Sequence, residues 1–311
     1  MTEKEVDAGQ EPVVIDATSE MEEERIDKVL SACIDTLSRS FIQKLLKDGK
    51  VTVNGSAVKP NYRVKENDRI SFLIPAAVEP DIEPENIPLS VLYEDDDVLV
   101  VDKPKGMVVH PAPGHYSGTL VNAVLYHCKG NLSGINGVLR PGIVHRIDRD
   151  TTGSVIVCKN DMAHNDIARQ LKAHSINRVY RAIVCGNMKE AEGTIDAPIG
   201  RDKKDRKKMA VTPGGKHAVT HYKVLAALKK YTYIECRLET GRTHQIRVHM
   251  ASIGHPLLGD EVYGRGKNGF DCQGQCLHAM TLGFCHPVSG TYIEVDAPLP
   301  DYFIRLLEKL Q

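Results

Sequence analysis

The stretch that most constrains this chain lies near its middle: Gly142-Ile143-Val144-His145-Arg146-Ile147-Asp148-Arg149-Asp150-Thr151-Thr152-Gly153. Two carboxylates, two arginines, a histidine and two threonines stand between two glycines, and the chain then enters Ser154-Val155-Ile156-Val157-Cys158. That second run is apolar and β-branched, the composition of a buried strand. A polar loop fixed to the end of a buried strand can hold reactive groups rigidly above a sheet. A solvated loop whose charges pair with one another would look the same. The rest of the chain has to decide between them.

At 311 residues the chain can bury a full core and is expected to form two units rather than one. No apolar run approaches the roughly 20 residues of a membrane span. Met1-Thr2-Glu3-Lys4-Glu5 lacks the basic start and apolar middle of a secretory signal. The eight cysteines include no Cys-x-x-Cys pair, so they read as reduced thiols in a cytoplasmic protein. A net charge of -1 conceals an asymmetry: residues 1–24 hold nine acidic residues and one basic, and the remainder carries +7. Residues 1–23 are therefore expected to be a disordered acidic leader. The body is mildly basic, as suits contact with phosphates.

Beyond the leader, Ile26, Val29, Leu30 and Cys33 fall at helical spacing, and a second helix after Ser38 or Ser40 would carry Ile42, Leu45 and Leu46 on one face. Val51-Thr52-Val53 ends in an Asn54-Gly55 hairpin turn, and Arg69 to Ile74 reads as a closing strand. The second helix and its flanks expose Arg39, Lys44, Lys47 and Lys50, which fit a phosphate-contacting face or, equally well, a plain solvated basic face. Residues 76–88, rich in proline and acid, read as an extended linker. Strands are expected at Val98–Val101, Met107–Val109, Val179–Cys185, Ala218–Val224 and Tyr231–Leu238, with helices at Gly118–His127 and after Asn160 or Asp161. Strands outnumber helices without βαβ alternation, which predicts an α+β fold with a mixed, mainly antiparallel sheet over residues 89–311. Arg201 to Lys208, six basic residues against two acidic, is either a mobile charged loop or a phosphate-contacting arm.

Thr240-Gly241-Arg242-Thr243-His244-Gln245-Ile246-Arg247-Val248-His249 is the second dense polar stretch. Ile246, Met250 and Ile253 share a helical face, which leaves the direction of Arg247 open. A cation beside Asp148 would keep that carboxylate ionised and oriented. Such an aspartate can attack an electrophilic sugar carbon or act as a general base. Two-carboxylate glycoside hydrolysis needs a partner across the substrate, and nothing places Asp150 there. Asp150-Thr151-Thr152-Gly153 has one residue too many for an aspartic-protease signature. Cys272, Cys276, His278, Cys285 and His286 crowd together, but the adjacent Cys285-His286 pair is badly spaced for one zinc tetrahedron, so no metal is expected. Glycine-rich phosphate motifs are absent, and no cofactor is expected.

Taken together, the motifs resemble two known families. Arg25-Ile26-Asp27-Lys28-Val29-Leu30, Ser38-Arg39-Ser40, Ile42-Gln43-Lys44-Leu45-Leu46 and Gly49-Lys50-Val51-x-Val53-Asn54-Gly55 resemble an S4-type RNA-binding domain, spanning residues 24–75. Residues 89–311 resemble the RluA/RluD family of RNA pseudouridine synthases, most of all its RluD branch. The matches are Val101-Asp102-Lys103-Pro104-x-Gly106, His110-Pro111, His145-Arg146-Ile147-Asp148-x-x-Thr151-Thr152-Gly153, Arg178-x-Tyr180-x-Ala182, Gly241-Arg242-x-His244-Gln245-Ile246-Arg247-x-His249, Gly254-His255-Pro256-x-x-Gly259-Asp260 and Leu277-His278-Ala279. Ile147 stands where the family usually has leucine. The resemblance implies isomerisation of uridine in large-subunit ribosomal RNA, with a transfer RNA target or a noncatalytic ribosome assembly factor as alternatives. It implies Asp148 as the essential residue, Tyr180 stacked on the uracil and Arg247 paired with Asp148. Arg146 would fill the space of the extruded base, with His145, Arg242 and His244 among the RNA contacts. A monomer is expected.

Overall fold

The structure, a computed structural model, describes residues 12–34, 39–72, 82–111, 115–135, 137, 140–206, 208–264, 269–270 and 272–311. The chain divides into two compact units, Met1–Val78 and Glu79–Gln311. The first comprises β1 (Val13–Asp16), α1 (Ile26–Cys33), α2 (Arg39–Lys47), β2 (Val51–Val53), β3 (Ser56–Ala57) and β4 (Arg69–Phe72), with sheet order β1-β4-β2-β3. Both helices bury their apolar stripes, Ile26, Val29 and Leu30 on α1 and Ile42, Leu45 and Leu46 on α2, in one cluster with Val51, Ile70 and Phe72. Asn54 (φ 49°) and Gly55 (φ 80°) make the tight turn between β2 and β3. Ile74 and the rest of the expected closing strand after Phe72 lie outside the described residues.

The leader is not disordered through residue 23. β1 pairs antiparallel with β4, from Val13 opposite Phe72 to Asp16 opposite Arg69. The β-branched Val13-Val14-Ile15 was hidden by the acids around it, and it covers what would otherwise be an open edge of β4. Residues 1–11 of the expected leader lie outside the described residues. The second half of the expected linker is likewise fixed. Ile82 is buried in the core of the second unit, Glu85 N–H donates to Asn122 O, and Asn122 Nδ2 donates to Glu83 O.

The second unit runs β5 (Ser90–Glu94), β6 (Val98–Lys103), α3 (Leu120–His127), β7 (Thr152–Cys158), α4 (Asp161–Lys172), β8 (Asn177–Cys185), β9 (Glu192–Asp196), β10 (Ile199–Arg201), β11 (Met209–Val211), β12 (Val219–Leu228), β13 (Tyr231–Leu238), α5 (Gln245–Ser252), β14 (Leu277–Cys285), β15 (Tyr292–Asp296) and α6 (Asp301–Leu310). Its main sheet is ordered β5-β6-β7-β14-β8-β13-β12-β9, with β15 added beside β14, and β10 and β11 form a separate ribbon. Every pairing among these strands is antiparallel except β7 with β14, so the fold is α+β with a mixed, mainly antiparallel sheet.

Alternation along the strands gives the sheet two apolar faces. Leu99, Val101, Val155, Val157, Ala182 and Val184 face α3 and α5, packing with Leu120, Val124, Ile246 and Met250. Val98, Val100, Ile156 and Cys158 face α4, against Ala163 and Ile167, while Ile183 packs with Phe303 and Leu306 of α6. Met107–Val109 is not the expected strand. Val108 and Val109 carbonyls accept the N–H groups of Leu120 and Val121, so this segment holds the start of α3, and β5 and β7 already occupy both sides of β6.

Candidate active site

The polar loop 142–151 is held from below by backbone contacts that the strand dictates. Gly142 N–H donates to Ser133 O and Gly142 O accepts from Cys158 N–H. A Cβ on Gly142 (φ 70°) would lie 2.6 Å from Cys158 O, which keeps this position glycine. At the loop's other end Gly153 has φ 110°, and a Cβ there would lie 2.2 Å from Ala279 O of β14. Between them, Lys103 Nζ donates to the carbonyls of Pro104, Met107 and Arg149, tying the turn after β6 to the residue that follows Asp148. Burial lowers this ammonium to about 7, against the raising influence of Asp150 and Asp148. Thr151 Oγ1 accepts from Gln275 Nε2, and Thr152 bonds to His278 Nδ1.

Asp148 opens into a cleft of about 640 Å³ whose lining includes His145, Arg146, Arg178, Tyr180, Arg242, His244 and Arg247. It is the one carboxylate among the described residues of that lining. Arg247, on buried α5, donates from Nη1 to Asp148 Oδ2 at 2.9 Å. Its Nε and Nη2 form a fork on Asp260, at 2.7 and 2.9 Å. Asp260 Oδ1 also accepts the N–H groups of Val262 and Tyr263. Burial works against the charges of both Arg247 and Asp260. Their mutual hydrogen bonds more than offset it, so the guanidinium is held above its ordinary range and the Asp260 carboxyl below its own. The cation anticipated beside Asp148 is thus locked in place from behind.

His244 caps α5 in a left-handed conformation (φ 56°), uncommon for a non-glycine residue and typical of constrained sites. Its Nδ1 bonds to Tyr263 Oη at 2.8 Å, and its Nε2 stands 3.8 Å from Asp148 Oδ1. Burial lowers its basicity, which Asp148 partly restores. Tyr180 lies on β8 with its ring on the cleft face, 8% exposed, and burial raises its phenol so that the hydroxyl stays neutral. Arg146 is exposed at the rim, 3.1 Å from His110 Nε2. Burial, then Arg146, lowers His110 to about 4, so its neutral ring accepts from the guanidinium. His145 turns inward: its Nε2 accepts the N–H of Ile156, and burial, then Arg178, lowers it to about 4. Arg242 lies across the cleft wall with Nε on His217 O.

Asp148, Tyr180, Arg247, Arg146, His145, Arg242 and His244 therefore meet in one cleft. Asp150 does not join them, since it pairs with Arg149 outside that lining. Lys44, Lys47 and Lys50 are exposed along and just after α2 in the first unit. Arg39 there is part of a cluster in which Arg25, Arg39 and Gln43 all donate to the fully buried Asp27. Lys103, His110 and Asp260 stood within the matching motifs but had no role assigned, and Tyr263 was missed. No periodicity links Asp260 to Arg247.

The cysteine–histidine group does not converge. Cys272 and Cys276 lie in the apolar cluster with α6, His278 bonds to Thr152 and Ala297 O, and His286 sits with Asp95 and Asp97. His286 Nδ1 accepts two backbone N–H groups, which leaves the ring proton on Nε2, 2.8 Å from Asp95 Oδ2. That nitrogen has no lone pair to offer a cation.

Residues 97–252 match the RNA pseudouridylate synthase family and residues 24–70 match the S4 domain. The chain belongs to the RNA pseudouridylate synthase family. It is 54% identical over 297 residues to an RNA pseudouridine synthase of Bacillus subtilis (strain 168), YlyB, covering 96% of this chain and 97% of that one. It is 50% identical over 304 residues to ribosomal large subunit pseudouridine synthase D of Zymomonas mobilis, covering 94% and 96%. Among solved structures, human RNA pseudouridylate synthase domain containing 1 superposes with a TM-score of 0.56 at 26% identity, over 76% of this chain and 97% of that one. The chain is accordingly an RNA pseudouridine synthase, an isomerase, carrying an S4 domain. Among the described residues no helix is long and apolar enough to cross a membrane.

Proposed function

We propose that this synthase isomerises specific uridines of large-subunit ribosomal RNA in the cytoplasm, acting as a monomer, with Asp148 as its catalytic carboxylate. One observation carries the assignment of Asp148: it is the one carboxylate among the described residues of the cleft lining, and its ion-pair partner, Arg247, is itself pinned by a second, fully buried carboxylate. A charge held in this way needs little reorganisation at the moment of reaction. The reaction breaks the bond from ribose C1′ to uracil N1, turns the base and joins C5 to the same carbon. The proton leaves C5 and N1 gains one, so the atoms balance without a cofactor.

A duplex or stacked uracil cannot reach Asp148, so the base is flipped into the cleft. The neutral, buried Tyr180 ring supplies a stacking face, and Arg146 at the rim is a planar cation suited to the space the base vacates. His145 acts through its bond to Ile156, orienting the loop, and Arg242 and His244 line the RNA path. The S4 unit adds affinity through Lys44, Lys47, Lys50 and Arg39, the covalent connection raising the effective concentration of each half for the same RNA. The names of the D-type relatives support the ribosomal target.

The test is pseudouridine mapping of ribosomal and transfer RNA from cells with and without the gene. A few ribosomal sites should vanish, and wild-type but not Asp148→Asn protein should restore them. Asp148→Asn should still bind RNA, since the amide keeps the shape and loses only the charge. Turnover by this variant, or losses confined to transfer RNA, would overturn the catalytic or the target assignment respectively.

A further inference from the structure

Arg178 is 8% exposed, yet no carboxylate is paired with it among the described residues. Its Nη2 donates to Glu239 O at 2.9 Å, and its Nε has no hydrogen-bond partner. The contrast with its neighbours is sharp. Arg181, on the opposite face of the same strand, is paired with Glu235, and Arg247 holds two carboxylates. A buried guanidinium without a counter-ion is costly unless something else neutralises it.

Arg178 and Tyr180 lie two residues apart on one face of β8, so their side chains leave the sheet about 7 Å apart into the same cleft. The same lining adds Lys172, His174 and Arg242, and its one acid among the described residues, Asp148, is paired with Arg247. The site is also shaped for the arginine. A Cβ on Gly241 would lie 2.7 Å from Arg178 Nη1, so an alanine there would displace the guanidinium from its present position.

We propose that Arg178 is the seat of an RNA phosphate, one adjoining the uridine whose base lies on Tyr180, and that Gly241 keeps the seat open. This rests on the reading of the cleft as the uridine site. The backbone phosphate supplies the missing counter-charge from the cleft that the arginine lines. The phosphate would thereby fix the flipped nucleotide relative to Asp148 without reading sequence.

Phosphate-ethylation interference tests this. Large-subunit ribosomal RNA transcripts, sparsely ethylated, are partitioned by binding to wild-type, Arg178→Met, Arg178→Lys and Gly241→Ala proteins, and turnover is measured on the same RNA. Wild type should show interference at a phosphate next to the modified uridine. Arg178→Met should lose that one position while keeping the others, and should raise KM by about 10- to 100-fold, more than it lowers kcat. Its log–log salt slope should fall by about 0.7. Arg178→Lys should recover part of the binding, and Gly241→Ala should weaken the same position with the arginine still present. Persistence of that interference in a folded Arg178→Met protein would overturn the proposal. Should Arg178→Met not fold, an unaltered pattern in Gly241→Ala would do so. A wild-type protein inert on ribosomal RNA would instead fault the substrate reading, and the transfer RNA arm then carries the same comparison.

Discussion

Asp260→Asn is the sharpest perturbation of the clamp behind Asp148. Arg247 makes three hydrogen bonds to carboxylates, and two of them end on Asp260, whose side chain is fully buried. Asparagine keeps the outline but has one acceptor oxygen. With its oxygen toward Val262 and Tyr263, its amide meets Arg247 Nε donor to donor. Turned round, it meets two backbone N–H groups and Nη2. Either orientation also leaves a buried guanidinium with one counter-ion instead of two. Breaking such a buried pair costs about 3–5 kcal/mol. At about 2–4 °C per kcal/mol for a unit of this size, the melting temperature should fall by ~6–20 °C. Calorimetry of the full chain measures this, and single-turnover pseudouridine formation measures its effect on chemistry, expected to be a slowing of about 100-fold through misplacement of Asp148. A double variant, Arg247→Met with Asp260→Asn, can turn the amide oxygen to the Val262 and Tyr263 N–H groups with no guanidinium donor opposite its nitrogen, and should regain part of the stability and none of the activity. The sign with pH is also fixed. The Asp260 carboxyl is held below its ordinary value, so its contribution is present above about pH 4 and lost as pH falls through the depressed value. The Asn variant should show a flatter acid limb. An Asp260→Asn protein melting within about 2 °C of wild type would falsify the clamp.

Three further outcomes are expected. Gly153→Ala should prevent accumulation of folded protein, because its Cβ meets Ala279 O at 2.2 Å in a backbone conformation alien to alanine; normal yield and circular dichroism would contradict this. Asp27, whose acidity is strengthened to about 2 as its hydrogen bonds to Arg25, Gln43 and Arg39 outweigh burial, should stabilise the first unit above about pH 4 and lose that contribution toward pH 2. Asp27→Asn should erase the difference in acid titrations followed by amide exchange of α1. Deleting residues 12–17 should speed amide exchange at Arg69–Phe72 by uncovering the edge of β4, and unchanged protection would show that β1 adds nothing.

Much of this was legible because local rules and the final packing agree. Ile42, Leu45 and Leu46 announced a helix, Asn54-Gly55 announced a turn, and the all-buried β7 followed from its unbroken β-branched run. The misses have a common cause in partners distant along the chain. Met107–Val109 has strand composition but meets α3, and β1 becomes visible only once β4 offers an edge. On α5 the apolar face left Arg247 undirected, because residues 245–250 are buried all round and Gln245, Arg247 and His249 each find a specific polar partner. Asp260 could not be assigned without the turn that returns it to that helix.

The parallel pairing of β14 with β7 bears on how the enzyme comes into being. Asp148, Tyr180, Arg247 and Asp260 have all been synthesised once translation passes residue 260. The strand that joins β7 to β8, and so sets Asp148 against Tyr180, is not complete until Cys285. A nascent chain stalled between those points would carry all four of these proposed site residues and should still be inert. Activity should therefore arise late and all at once, and a clipped chain lacking β14 should not act as a partially functional modifier of RNA.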